Sequence, residues 1–324
     1  MRAVQITSLD GPEAVQLNDV AEPVATEDAV VIDVHAAGVA FPDALLSRGL
    51  YQYKPELPFT PGGEVAGVVR SAPAGTHVAA GDRVLGLTMI TDGMAEVVVL
   101  APDRVFKLPD NISFEAGAGI LFNDLTVHFA LRTRGRLSPG ETVLVHGAAG
   151  GIGTSALRLA PALGAGRTIA VVSTEDKREA AKAAGADEVV LADGFKDAVA
   201  TLTEGRGVDI VVDPVGGDRV TDSLRSLAPA GRLLIIGFTG GDIPAIKANR
   251  LLLNNVDAVG VGWGAWAMSH PGYLAEQWDQ LEALLASGKV AAPQPQLYPF
   301  ERAAEAIAAL ENRAARGKVV LQLR

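Results

Sequence analysis

The stretch "ETVLVHGAAGGIGTSALRLA", Glu141 to Ala160, decides the fold of this chain. It begins with the apolar run Val143–Val145, passes through a loop of glycine and alanine, and continues from Thr154 as an alanine-rich, helix-forming sequence. The loop is a variant of the G-x-G-x-x-G pattern in which Ala148 takes the first glycine position and one extra glycine is inserted. A strand, a glycine turn and a helix N-terminus in this order bring backbone N–H groups to a pyrophosphate.

This context predicts a dinucleotide site rather than an ordinary glycine-rich turn. Glycines let the backbone approach the pyrophosphate, and the first N–H groups of the following helix point at its negative charge. The loop residues predicted to bind the cofactor are Ala149, Gly150, Gly151, Ile152 and Gly153.

Apolar strands and alanine-rich segments alternate on both sides of this loop. From about residue 137 to residue 262 the runs "TVLVHG", "TIAVVS", "VDIVVD", "GRLLIIGF" and "VDAVGVG" are separated by helix-forming sequence. Such alternation is typical of parallel βαβ units. The first 110 residues instead read as short strands broken by glycine and proline, which predicts a β-rich domain. The predicted fold class is therefore α/β, with a doubly wound parallel sheet beside a β-rich domain.

Composition narrows the partners to small molecules. The 324 residues carry a net charge of −10 without any lysine or arginine cluster, so no surface predicts binding to nucleic acid or to an anionic membrane. No apolar run approaches the roughly 20 residues needed to span a bilayer, and no signal-type segment is present, so we expect a cytoplasmic protein. The absence of cysteine excludes disulfides, thiolate metal ligands and cysteine nucleophiles.

The choice between NADPH and NADH is made about 20 residues beyond the glycine loop, where NAD-binding folds place an acid on the ribose. Here the second strand ends in "VVSTEDK", with Ser173 at the strand end and Lys177 close behind. A hydroxyl and a lysine can accept a 2′-phosphate that a carboxylate would repel, so the sequence favours NADPH. A simpler interpretation makes Ser173 or Thr174 a helix N-cap and Lys177 a solvated residue.

Several motifs together resemble the zinc-free quinone oxidoreductase branch of the medium-chain dehydrogenase/reductase superfamily. They are "AAGV" followed by "PD", "PFTPGGEVAGVV", "GDRV" and "AAGGIG", and the resemblance covers essentially the whole chain. It implies a GroES-like catalytic domain over 1–120 and 266–324 and a Rossmann NADPH-binding domain over 121–265. It also implies a homodimer, for which the apolar end of the last Rossmann strand offers an edge.

The resemblance also predicts the absence of a metal site. The positions that carry zinc ligands in zinc-dependent relatives match Ala40, Gly63 and Phe122, none of which can bind a metal. Without a Lewis acid the acceptor must already be electrophilic, which favours quinones and alkenes conjugated to a carbonyl.

The resemblance also implies which residues form the substrate and cofactor sites. The substrate pocket is expected to contain Ala40, Phe41, Leu45 and Tyr51, with the Tyr51 hydroxyl as a hydrogen-bond donor to the substrate. Ala40 and Leu45 replace an asparagine and a tyrosine common in the family, so the pocket should be more apolar. Asp43 and Glu64 are read as structural acids, held through Arg48 or through backbone donors. Besides the loop residues, Ser173 and Lys177, the residues expected at the cofactor are Thr126, Phe238, Val261 and Arg313.

These features leave three functions open. The first is reduction of quinones by NADPH. The second is reduction of an enone or an enoyl thioester, which needs the same hydride geometry. The third is NADPH binding without catalysis, an alternative that the departures at Ala40 and Leu45 keep open.

Overall fold

The computed structural model describes residues 1–324, and the chain forms two units. Unit 1 comprises Met1–Asn123, His270–Ala286 and Ala292–Arg324. Unit 2 comprises Asp124–Ser269 and Ser287–Ala291. The first and last parts of the chain therefore belong to the same unit.

Strands dominate the first part of the chain, where valine-rich runs alternate with turns. Its elements are β1 (Arg2–Ile6), β2 (Val15–Asp19), β3 (Val30–Val39), α1 (Phe41–Ser47), β4 (Glu64–Ser71), β5 (Arg83–Leu87), β6 (Val97–Leu100), β7 (Val105–Lys107) and α2 (Phe114–Gly117). Strands and helices alternate in the middle. Its elements are α3 (Leu121–His128), β8 (Thr142–Val145), α4 (Gly151–Ala162), β9 (Arg167–Val172), α5 (Arg178–Ala183), β10 (Glu188–Leu191), α6 (Phe195–Leu202), β11 (Val208–Asp213), α7 (Val220–Arg225), β12 (Leu227–Ile235), α8 (Asn249–Asn254), β13 (Asp257–Gly260) and α9 (Trp263–Ser269). The last part contains α10 (Tyr273–Ala286), β14 (Gln296–Pro299), α11 (Ala303–Glu311) and β15 (Val319–Gln322).

A seven-stranded sheet forms the body of unit 1. Its strand order is β14-β15-β3-β4-β5-β7, with β6 paired to β3, and β1 and β2 form a separate hairpin. The C-terminal strand β15 lies antiparallel to β3 with Val320 opposite Gly38, and it lies parallel to β14. The core beneath the sheet is mostly aliphatic and includes Ile32 and Leu321, with Phe300 among its aromatic members.

Unit 2 contains the parallel sheet that the alternating sequence predicts. Six strands lie in the order β10-β9-β8-β11-β12-β13, and every neighbouring pair is parallel. In chain order this is the arrangement 3-2-1-4-5-6 of a doubly wound dinucleotide-binding sheet. The prediction of an α/β doubly wound domain is confirmed. The central strands β8 and β11 are apolar and buried because helices cover both faces of such a sheet.

None of the helices is both long and apolar enough to cross a bilayer.

Candidate active site and cofactor cradle

The glycine loop connects β8 to α4 in the centre of the unit 2 sheet. Strand β8 is hydrogen-bonded to β9 on one side and to β11 on the other, so the strand order reverses at this point. In doubly wound folds ligands bind outside the carboxyl ends of the strands at such a reversal. Gly150 is the N-cap of α4, and Gly151 is its first residue. The structure therefore places the loop where a dinucleotide is expected.

Two positions at the glycine loop, Gly147 and Gly153, favour glycine. A Cβ atom at Gly153 would lie 2.3 Å from the carbonyl oxygen of Gly147 and 2.5 Å from the Cα atom of Ala148. Gly147 itself has a φ of 57°, in the left-handed region that favours glycine. Helix α4 can pack against the loop because Gly153 lacks a side chain, and Gly147 allows the left-handed backbone of the loop.

The first turn of α4 presents its backbone donors to the loop. The N–H groups of Gly151, Ile152 and Gly153 are in the first helical turn, where no preceding helical carbonyl can accept from them. Together with the helix dipole they form a site that suits the two phosphates of a dinucleotide. The residues present therefore fit the cofactor that the sequence predicts.

Ser173 and Lys177 lie together just beyond the end of β9. The Lys177 ammonium donates a hydrogen bond of 3.2 Å to the Ser173 hydroxyl on the protein surface. Glu175, the first acid of this segment, forms an ion pair of 2.7 Å with Arg178. Thr174 occupies the N-cap position of the short helix Glu175–Lys177, but no side-chain hydrogen bond caps that helix. The arrangement suits a phosphate on the ribose, because a hydroxyl and an ammonium group lie side by side there.

The remaining residues predicted at the cofactor fall into both units. Thr126 is buried in α3, Phe238 follows β12, and Val261 follows β13, all in unit 2. Phe238 packs against Gly216, where a Cβ atom would lie 2.7 Å from the phenylalanine ring. Arg313 is exposed and follows α11 in unit 1.

The residues predicted at the substrate all belong to α1 and its flanks. Ala40 is the N-cap of α1, Phe41 and Leu45 lie within the helix, and Tyr51 follows it. All four are half-buried. Burial and, to a smaller extent, the charge of Asp43 raise the pKa of the Tyr51 hydroxyl. This hydroxyl therefore stays protonated at neutral pH and can donate a hydrogen bond.

Asp43 and Glu64 hold backbone groups, one of the two alternatives that the sequence left open. Asp43 accepts hydrogen bonds from the N–H groups of Ala40 at 2.7 Å and Gly62 at 3.0 Å. Glu64 accepts from the N–H group of Phe122 at 2.9 Å and pairs with the buried Lys318 at 2.6 Å.

Arg48 is not the partner of either acid. It forms an ion pair with Glu311 at 2.8 Å. In the sequence these acids stand out as carboxylates inside apolar motifs. That pattern does not identify Gly62 or Lys318 as their partners.

Two of the three positions that match zinc ligands, Gly63 and Phe122, pack against each other. A Cβ atom at Gly63 would lie 3.0 Å from the Phe122 ring and 2.6 Å from the Met89 carbonyl oxygen. Among residues 1–324, no three His, Cys, Asp or Glu side chains come together as a metal-binding group. His146 is buried and bonds the Ser223 hydroxyl at 2.8 Å, and burial lowers its pKa to about 4.

Family models match most of the chain. Residues 26–110 match the alcohol dehydrogenase GroES-like domain, and residues 151–287 match the domain described as zinc-binding dehydrogenase. These matches confirm the predicted GroES-like and Rossmann parts of the fold.

Full-length relatives match as well. Quinone oxidoreductase-like protein 2 of Rattus norvegicus is 35% identical over 327 residues, covering 100% of this chain and 92% of the relative. A probable oxidoreductase from Mycobacterium abscessus is 42% identical, with a TM-score of 0.91 and coverage of 100% of this chain and 99% of that one. The quinone oxidoreductase of Escherichia coli, solved in complex with NADPH, is 30% identical, with a TM-score of 0.90 and full coverage of both chains. The chain therefore belongs to the zinc-free quinone oxidoreductase branch of the medium-chain dehydrogenase/reductase superfamily and is an oxidoreductase.

Proposed function

We propose that this protein reduces quinones, or other acceptors conjugated to a carbonyl, with NADPH. The observation that carries the proposal is the glycine cradle at the start of α4 together with the Ser173–Lys177 pair at the end of the neighbouring strand. The NADPH complex of the Escherichia coli relative supports the choice of cofactor.

The protein's residues have positioning roles in this reaction. The N–H groups of Gly151 to Gly153 would hold the pyrophosphate, and Ser173 and Lys177 would hold the 2′-phosphate. NADPH held in this way would supply a hydride to an activated carbon of the acceptor, and water would supply the proton. The Tyr51 hydroxyl would donate a hydrogen bond to the acceptor oxygen, where negative charge develops. The chain thus provides orientation and one hydrogen-bond donor.

Fluorescence titration with NADPH and NADH, followed by NADPH consumption with a quinone, tests this proposal. Lys177→Ala should weaken NADPH binding about tenfold and leave NADH binding unchanged, because one charge-assisted hydrogen bond to the 2′-phosphate is lost. The matched control is Lys182→Ala, which removes the same charge from an exposed ion pair with Glu179. Equal losses of NADPH and NADH affinity in Lys177→Ala would contradict the assigned role.

Reduction of enones or enoyl thioesters is the second candidate. The apolar residues Ala40, Phe41 and Leu45 lie at the N-cap of α1 and within the helix, and Tyr51 is the one hydroxyl among the predicted substrate residues. A pocket with a single donor suits an acceptor with a single carbonyl. Steady-state rates with 1,4-benzoquinone, an enone and a crotonyl thioester separate the two activities. Tight NADPH binding without turnover of any of them would indicate a non-catalytic protein.

We also propose that the protein forms a homodimer through the β13 edge of unit 2. Strand β13 ends the six-stranded sheet, and α8, which precedes it in the chain, exposes Leu252 by 75% and Leu253 by 68%. Light scattering should give twice the 33.5 kDa mass of one chain, and Leu252→Asp should halve that mass. Val24→Asp, which changes an exposed apolar residue of unit 1, is the control. A monomeric wild type at micromolar concentration rules out this dimer.

A cytoplasmic location stays a prediction for cell fractionation.

A further inference from the structure

The start of α1 depends on a side chain from its own first turn. Ala40, the N-cap residue, has no side chain that can accept a hydrogen bond from the helix. Asp43, one turn into the helix, accepts instead from the N–H group of Ala40 at 2.7 Å through Oδ2. Its other oxygen, Oδ1, accepts from the N–H group of Gly62 at 3.0 Å. One buried carboxylate therefore joins the helix start to a turn 19 residues away.

The Gly62 turn is a firm anchor for this carboxylate. Its carbonyl oxygen accepts from the Thr88 hydroxyl at 2.6 Å and from the N–H group of Gly93 at 3.1 Å. Gly62 has a φ of 110°, and a Cβ atom there would lie 2.7 Å from the backbone nitrogen of Met94. Because this turn is fixed by several contacts, the carboxylate of Asp43 that bonds it is fixed too, and so is the N–H group of Ala40 that bonds the same carboxylate.

The other end of α1 is held separately. The C-cap residue Arg48 donates from Nε and Nη2 to the two carboxylate oxygens of Glu311, at 2.8 Å and 3.0 Å. Helix α1 is thus attached at both ends, and the attachment through Asp43 is the one that includes Ala40.

We propose that Asp43 is a positioning residue for the substrate: its two hydrogen bonds fix Ala40 and Phe41 at the helix start, and through the helix Leu45, relative to the Gly62 turn. The inference rests on the proposed function, since it assigns these residues to the acceptor. Asp43 itself need not touch the acceptor.

The charge state of Asp43 is set by its surroundings in unit 1. Burial, opposed by the N–H groups of Ala40 and Gly62 and by the Lys318 ammonium, raises the pKa of this carboxyl to about 7, and the charge of Glu64 adds to the rise. The charge of Asp43 in turn raises the pKa of the Tyr51 hydroxyl. The raised pKa means that the cost of burying the ionised carboxylate outweighs its hydrogen bonds, so the closed start of α1 holds the proton more tightly than an opened, hydrated start would. We therefore expect the start of α1 to loosen as pH rises through 7.

Steady-state kinetics of Asp43→Asn test the inference. An amide can accept from only one of the two N–H groups, because its NH2 group faces the other as a second donor. The KM for the acceptor should rise about tenfold while kcat changes less than about twofold, as expected when one buried hydrogen bond is lost. The KM of the wild type should rise as pH rises from 6 to 8, and the KM of the variant should stay flat over this interval.

Glu311→Gln is the matched control, because it removes one carboxylate charge at the other end of the same helix. It should lower the melting temperature and keep the wild-type KM and its pH dependence. An Asp43→Asn enzyme with the KM and pH profile of the wild type overturns the inference. A wild-type KM that does not change between pH 6 and 8 also overturns it, and that measurement does not depend on the variant folding.

Amide hydrogen exchange separates this inference from the proposed function. After correction for intrinsic rates, the amides of residues 40–47 in the wild type should exchange faster at pH 8 than at pH 6, whether or not any acceptor is reduced. Failure of turnover with pH-dependent exchange refutes the proposed function and retains the role of Asp43 in holding α1. Turnover with exchange that does not depend on pH refutes that role alone.

Discussion

Gly153 lies where α4 passes closest to the glycine loop. A methyl group there would lie 2.3 Å from the Gly147 carbonyl oxygen and 2.5 Å from the Ala148 Cα atom. Both are backbone atoms, which cannot rotate away as a side chain can. Gly153→Ala should therefore lower NADPH affinity at least tenfold and cost about 1–3 kcal/mol of unfolding free energy. Gly260→Ala is the control, because no atom lies within 4 Å of the added methyl group. Fluorescence titration measures the NADPH affinity, and urea unfolding measures the free energy of unfolding. Equal NADPH affinities in the two variants would contradict a close contact between α4 and the loop at Gly153.

His146 makes the fold sensitive to acid. The Ser223 hydroxyl donates to the carbonyl of Arg219 at 3.0 Å, so it accepts from Nε2–H of His146. Burial is the main cause that lowers the pKa of His146 from 6.5 to about 4. Between these values the unfolded chain binds a proton that the folded chain does not, so this residue makes stability fall as pH drops from 6.5 towards 4.

His146→Gln should lose less unfolding free energy between pH 7 and pH 4.5 than the wild type loses. Urea unfolding at the two pH values gives the comparison, with His270→Gln, a change at an exposed histidine, as the control. A variant with the same pH dependence as the wild type would show that His146 is not the acid-sensitive group.

At the scale of elements, a buried carboxylate ties α3 to α4. Asp124, fully buried in α3, accepts from the Ser155 hydroxyl at 2.5 Å and from Nη2 of Arg158 at 2.6 Å, both in α4. Nη1 of the same guanidinium donates to the carbonyl of Ala291. The helix that bears the glycine loop is thereby attached to its neighbour.

Asp124→Ala should cost about 3–5 kcal/mol of unfolding free energy, because it leaves the Arg158 guanidinium, only 11% exposed, without its carboxylate. The double variant Asp124→Leu with Arg158→Met should recover most of this loss, since neither charge remains buried. Denaturant unfolding of the two variants gives the values. A cost below about 1 kcal/mol for Asp124→Ala would mean that this pair contributes little to stability.

At the scale of the whole molecule, the end of the chain completes the sheet of the first unit. Strand β15 lies between β14 and β3, and Val319, Val320 and Leu321 are fully buried there. Each side chain contributes about 2 kcal/mol by burial, and their sum of roughly 6 kcal/mol is comparable with the 5–15 kcal/mol that stabilise a typical domain.

Removal of residues 318–324 should therefore unfold unit 1 at 25 °C. The deletion also takes away Lys318, the buried partner of Glu64. Circular dichroism and hydrogen exchange of residues 30–39 measure the effect, with removal of Arg324 alone as the control, since its ion pair with Asp33 is largely exposed. A truncated chain that still protects β3 from exchange would contradict a central role for β15.

The structure confirms the predictions that depend on residues close together in the sequence. The strand, glycine loop and helix of Glu141 to Ala160 follow one another as their apolar run, glycine spacing and alanine content predict. The assignments of individual substrate and cofactor residues stay predictions that the variants above address.

The sequence by itself determined the βαβ units and the position of the glycine loop, because these depend on residues close together in the chain. The tertiary structure alone decided that Asp43 bonds Gly62, that Glu64 pairs with Lys318 and that Arg48 pairs with Glu311. Those partners are 19 to 263 residues apart along the chain, and they meet because strand order and register bring their elements together. Hydrophobic periodicity predicts which face of an element is buried, but it carries no information about which distant side chain that face will contact.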